Sequence, residues 1–166
     1  MTVMMRNLLL AFATVVLFTA CGFQLRGSAN LPYDTLFVAA PGDSGFAAEF
    51  KRAVRTGSKA RIADSAKEAQ ATLHLLAEAR EKVILSLSGG GRVREYQLRY
   101  RVAYRLVDKD NKELRPPTQI ALERDLYYND NDTLSKESEE ALLYRDMQTD
   151  AASQLLRQLQ TARIGQ

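Results

Sequence analysis

The sequence predicts an α+β fold, a two-layer sandwich of two helices on one face of a four-stranded, mostly antiparallel sheet in the order β-α-β-β-β-α. Three observations predict it. Apolar and polar residues alternate over much of Ala71 to Asp108, the period of a half-buried strand. Apolar residues recur at helical spacings in 46–54 and again in 144–162. Two turn-forming clusters, Ser88-Gly89-Gly90-Gly91 and Asp108-Lys109-Asp110-Asn111-Lys112, break the alternation where hairpins would need them. One half-buried sheet and two amphipathic helices can cover each other's apolar surfaces in two layers.

Taken in order, Thr35 to Ala40 is a short β-prone run stopped by Pro41 and Gly42. Asp43 or Ser44 can cap a helix carrying Phe46, Phe50, Ala53 and Val54 on one stripe, with Gly57 at the C′ position. Ser58 to Gln70 shows no clear period. From Ala71 the alternation sets Leu73, Leu75, Ala77 and Ala79 on one face, against Thr72, His74, Leu76, Glu78 and Arg80. Glu95 to Asp108 is the clearest strand. Tyr96, Leu98, Tyr100, Val102, Tyr104 and Leu106 share its apolar face, while Glu95, Gln97, Arg99, Arg101 and Arg105 share the other. Pro116 and Pro117 mark the exit of the second hairpin, and Gln119 to Tyr128 supplies another strand. Ser135 to Arg163 reads as one long helix without Gly or Pro. Its stripe is Tyr144, Met147, Ala151, Leu155, Leu159 and Ala162, with acids early and arginines late to suit the helix dipole. The strands between 71 and 108 are long enough that one hairpin should project beyond the helices.

The N-terminus carries a different message. Met1 to Asn7 holds one charge, Arg6; Leu8 to Phe18 is unbroken apolar chain; Thr19 and Ala20 are small; Cys21 follows. The run is shorter than the roughly 20 apolar residues a bilayer span needs, and its three-part order is that of a signal peptide. The join to Cys21 resembles the lipobox of bacterial lipoproteins, with Phe18 where that pattern usually has Leu. Cys21 is the single cysteine, so it has no disulfide partner, and lipid attachment gives it a use in an oxidising compartment. The expected organisation is therefore a signal peptide over 1–20, a lipidated tether over 21–34 and a folded domain over 35–166. Gly22 in place of Asp implies, by the same resemblance, sorting to the outer membrane. The remaining composition, 26% charged and 46% hydrophobic, is that of an ordinary globular domain.

Catalysis finds little support. Ser-His-Asp and Cys-His catalysis need a histidine base, and the one histidine, His74, alternates with apolar positions on a strand, as a partly buried or edge histidine does. With one His and a lipidated Cys, a zinc site would have to be carboxylate-rich, and no spacing suggests one. Asp108 to Lys112 lacks the glycine and distant Glu of a calcium loop. The triple glycine is not followed by Lys-Ser/Thr, as a phosphate loop would be. The expectation is a protein that is not an enzyme and carries no cofactor or metal. A carboxylate-based enzyme of envelope turnover and a pilotin-like assembly factor are the alternatives.

The most distinctive charge feature is the segment from Arg92 to Arg105, which holds Arg92, Arg94, Arg99, Arg101 and Arg105 against one acid, Glu95. Arginine forks suit phosphate and carboxylate. Four readings stand: a solvated sheet face whose charges pair with neighbouring strands, an anionic amphiphile such as lipopolysaccharide, a protein surface, and nucleic acid. A membrane-tethered envelope protein disfavours the last.

Cys21-Gly22-Phe23-Gln24-Leu25-Arg26-Gly27 resembles the mature start of the LptE lipopolysaccharide-assembly lipoproteins. The likeness continues through Glu95-Tyr96-Gln97-Leu98 and through Tyr127-Tyr128-Asn129-Asp130 before the last helix. The resemblance implies a two-helix, four-stranded domain that plugs the lumen of the LptD β-barrel, assists its assembly, and binds lipopolysaccharide for insertion into the outer leaflet. It implies a lipid-anchored position on the periplasmic side of the outer membrane, with no nucleic-acid partner. The residues matching the family's lipid-binding cations are Arg92 and Arg94 near the hairpin tip, and Lys136 at the start of the last helix.

Overall fold

The computed structural model describes residues 29–128 and 133–162. Cys21, the signal segment before it, Asn129, Asp130, Asp132 and Arg163 lie outside the described residues. The elements are β1 (Thr35–Ala39), α1 (Gly45–Gly57), β2 (Arg61–Ile62), β3 (Ala71–Leu87), β4 (Val93–Asp108), β5 (Glu113–Tyr127) and α2 (Thr133–Leu159). A 3₁₀ turn over Ala66–Glu68 separates β2 from β3.

The two-helix α+β architecture matches the expectation, but the sheet is five-stranded and mixed, with order β2-β1-β3-β4-β5. The additional strand, β2, has only two residues, too few to show any period, and its partner supplies the geometry. β1 runs parallel to β2 and to β3, whereas β3, β4 and β5 form the expected antiparallel meander. Parallel strands need a crossover connection, and α1 supplies it between β1 and β2.

Local chemistry accounts for the helix and turn limits. Ser44 Oγ accepts from Ala47 N–H at 3.1 Å, a side-chain N-cap for α1. At the other end Gly57 is the last helical residue rather than a C′ glycine, and Ser58 closes the helix by donating its N–H and its Oγ to Val54 O. A Cβ on Gly57 would come within 3.0 Å of Leu156, so the glycine lets α2 approach. The second hairpin closes on Asp108, whose Oδ1 accepts from Asp110 N–H and Lys112 N–H, both at 2.8 Å, with Asn111 at φ +60°. β5 begins before Pro116 and Pro117 and runs through them. It can do so because it is an edge strand, and the β4 register shifts there, so the missing N–H groups face away or fall at the irregularity.

The core lies between the sheet and the helices. Leu98, Tyr100, Val102, Tyr104 and Leu106 of β4 are fully buried, against Phe46, Phe50 and Val54 of α1 and Met147, Ala151, Leu155 and Leu159 of α2. Ala29 and Tyr33, ahead of β1, join this core, and Ala29 bridges to Ser58.

One departure in β3 shapes everything beyond it. Leu75 lies opposite Tyr104, but Ala77 lies opposite Ala103, so Leu76 is an extra residue in a β-bulge. The bulge flips the alternation: Leu73 and Leu75 face the helices, then Glu78, Arg80, Lys82 and Ile84 do, opposite Val102, Tyr100, Leu98 and Tyr96. Ala77 and Ala79, expected inward with Leu73 and Leu75, face outward instead. An uninterrupted period of two cannot reveal an inserted residue, and here it gives the wrong face.

Candidate functional site, a cation and tyrosine cluster at the distal hairpin

Because of the bulge, the far half of β3 turns charged side chains toward α2. Lys82 Nζ donates to Glu140 Oε2 at 2.6 Å and lies 4.2 Å from the ring centre of Tyr96 and 5.9 Å from that of Tyr128. The two rings meet edge to face at 5.3 Å. One step nearer the core, Arg80 lies 5.8 Å from the Tyr100 ring and 5.5 Å from the Tyr144 ring, and donates to Gln148 Oε1. Tyr100 Oη and Ser44 Oγ both donate to Glu78, and Tyr144 Oη donates to Glu81 O. This part of the interface is held by cation–π contacts and hydrogen bonds, each contributing about 1 kcal/mol or less net.

Burial, with the hydrogen bond to Glu78, pushes the Tyr100 phenol well above its ordinary range. Burial raises Tyr144 as well, with Glu140 adding to it. These hydroxyls stay protonated donors at any physiological pH.

The hairpin beyond Lys82 is exposed on both faces. Val83 and Ile84 lie opposite Gln97 and Tyr96, hence on opposite sides of the sheet, and together with Leu85 and Leu87 they are all exposed. The turn is pinned by Ser88, whose N–H donates to Arg92 O and whose Oγ accepts from Arg92 N–H; Gly91 takes a φ of +76° that side chains rarely adopt. Arg92 and Arg94 are exposed just past that turn. Arg94 O accepts from Tyr128 N–H at 2.8 Å, which ties the hairpin to the chain leading into α2. Lys136, early in α2, pairs with Glu139 at 2.7 Å. The exit of β5 toward α2 therefore lies beside Arg94.

The remaining arginines of the segment behave differently. Arg99 pairs with Glu123 of β5, and Arg101 with Glu81 of β3. Arg105 lies opposite His74, where burial and that guanidinium hold the imidazole below its usual pKa. Arg99 and Arg101 thus make cross-strand ion pairs on the outer sheet face, as the first of the four sequence readings has it, and Arg105 shares that face. Lys82 and Arg80 are the cations that sequence reasoning missed. Their spacing suggests a solvated edge, and only the bulge turns them inward.

A family model described as lipopolysaccharide-assembly, LptE, matches residues 33–159. The chain belongs to the LptE family. A curated relative from Yersinia pestis (strain Pestoides F), named LPS-assembly lipoprotein LptE, is 28% identical over 160 residues, which is 94% of this chain and 76% of that one. Among solved structures, lipoprotein B from Nitrosomonas europaea is 41% identical with a TM-score of 0.74, covering 84% of this chain and 90% of its own. Rare lipoprotein B from Shewanella oneidensis is 26% identical with a TM-score of 0.66, covering 75% and 92%. For this LptE chain the family match begins at Tyr33, the buried tyrosine ahead of β1, and ends with the last residue of α2.

Proposed function

We propose that this LptE-family chain is exported by residues 1–20, anchored to the periplasmic face of the outer membrane by lipid on Cys21, and tethered by 21–34. Its domain plugs and helps assemble the LptD β-barrel and binds lipopolysaccharide for insertion into the outer leaflet. Family membership over residues 33–159 carries this reading. No helix among the described residues is long and apolar enough to cross a membrane. Two or more acyl chains hold a protein stably, since each buried methylene contributes about 0.8 kcal/mol.

Arg92, Arg94 and Lys136 are the residues assigned to the phosphates of lipid A. Charge-assisted hydrogen bonds of this kind contribute about 1.5–3 kcal/mol each. Lys136 must exchange Glu139 for phosphate, which keeps the cation ordered until the lipid arrives. Lys82, with its tyrosine neighbours, is the additional cation at this end. The domain works by binding, and no bond of the lipid is broken.

Partner and class are tested together by extracting the tagged full chain in detergent from an outer membrane containing the untagged barrel. Near-stoichiometric recovery of the barrel is expected. Recovery of the chain alone overturns the plug reading.

A further inference from the structure

Two lysines at the distal end are paired with glutamates that are neighbours in sequence. Lys82 of β3 donates to Glu140 at 2.6 Å, and Lys136 of α2 donates to Glu139 at 2.7 Å. Elsewhere on the domain the pairs Arg99–Glu123, Arg101–Glu81 and Arg124–Asp150 use guanidinium instead. An arginine fork fits a carboxylate in a fixed plane, whereas an ammonium is a point charge with rotatable donors and changes partner with little geometric loss. The distal pairs are the exchangeable ones.

Within these pairs the carboxylates are the partners able to move. Lys82 Nζ is seated over the Tyr96 ring. Glu139 and Glu140 both reach solvent, on a stretch of α2 in which no residue from Ser135 to Leu143 is buried. Rotation about a glutamate's own side-chain bonds takes its carboxylate into water and leaves the lysine in place. A phosphate monoester carries more charge than a carboxylate and offers three strong acceptor oxygens. At contact it therefore displaces a carboxylate whose exposed pair is worth no more than about fivefold in an equilibrium constant.

We infer that Glu139 and Glu140 are release residues, internal competitors that yield Lys136 and Lys82 to the phosphates of a bound lipid and reclaim them as the lipid leaves. This rests on the reading that the distal cations take the phosphates of lipopolysaccharide. Each phosphate contact that forms breaks one internal pair, and each that is lost is replaced by one. The hold on the lipid is then the difference between two charge-assisted contacts, not the whole of one, which suits a ligand that must leave as well as arrive. Glu137, exposed within the same turn, makes no ion pair or side-chain hydrogen bond among the described residues. It shares the charge of the two release residues and not their role.

The test follows fluorescent lipopolysaccharide leaving the full chain in detergent at physiological salt, where charges farther apart than about 8 Å are largely screened. Glu140→Gln should slow dissociation about threefold, and Glu139→Gln with Glu140→Gln about tenfold, by the worth of the pairs removed. Glu137→Gln removes the same charge without freeing a lysine, so it should change the rate by less than about 1.5-fold. Adding Lys82→Ala should erase the gain from Glu140→Gln, because no cation is left to contest. Should Glu140→Gln unravel the first turns of α2, Glu139→Gln alone, whose pair lies within the helix, still decides. An unmodified chain that does not bind lipopolysaccharide overturns the underlying reading. Intact binding with dissociation unchanged in the double variant, or slowed equally by Glu137→Gln, overturns the inference alone.

Discussion

Over Leu73, Tyr104 and Leu106 the helices meet the sheet through apolar side chains such as Phe50, Leu155 and Leu159, all fully buried. Over Glu78, Arg80 and Lys82 the same α2 meets the same sheet through phenols and charges, and no residue from Ser135 to Leu143 is buried. The difference is set by one extra residue, Leu76, which turns the polar phase of β3 inward. The near half therefore carries the stability of the fold. The far half is held by contacts that water, salt or an anionic ligand can replace.

The largest break in this comparison is expected in the near half. Leu155→Ala removes a fully buried side chain and leaves a cavity, for a loss of about 2–5 kcal/mol. A fall in the urea midpoint without a change in slope checks it. Tyr100→Phe, at the boundary, deletes the donor to Glu78 and should cost about 1 kcal/mol. Lys82→Ala in the far half should cost less than about 1 kcal/mol, because its side chain is 34% exposed and solvent screens the pair with Glu140. Its effect should appear locally, as faster amide exchange from Lys136 to Tyr144 with the near half unchanged. Exchange that accelerates equally along all of α2 would mean that the two halves are not distinct.

The smallest effect concerns His74. Burial and Arg105 depress its folded-state pKa below the ordinary value of about 6.5. The unfolded chain therefore binds its proton first, and the stability this provides is present above about pH 6.5 and lost as pH falls below it. The urea midpoint should fall between about pH 7.5 and 5, and His74→Gln should show a smaller fall.

Much of this was legible in the sequence. The β4 stripe from Leu98 to Leu106 and the α2 stripe from Tyr144 to Leu159 were read directly, because no bulge interrupts the period on either buried stripe. The Ser44 cap and the Asp108 turn were legible because their side chains bond the adjacent backbone. β2 was not, since two residues have no period and its pairing depends on a partner 26 positions away in the register Thr35–Arg61. The bulge at Leu76 was not, and with it went the inward placement of Lys82. Arg99, Arg101 and Arg105 looked like part of one basic surface with Arg92 and Arg94, and only the register shows that the former face strand neighbours.

That division of the arginines bears most directly on function. Two triple variants of the full chain, Arg92/Arg94/Lys136→Ala and Arg99/Arg101/Arg105→Ala, should be compared for lipopolysaccharide binding after folding is verified by circular dichroism. The distal variant is expected to lose binding at least tenfold, and the outer-face variant to bind within about twofold of the unmodified chain, in line with the larger contribution of charge-assisted contacts to a phosphate. Unchanged binding by the distal variant, or loss confined to the outer-face variant, would contradict the account.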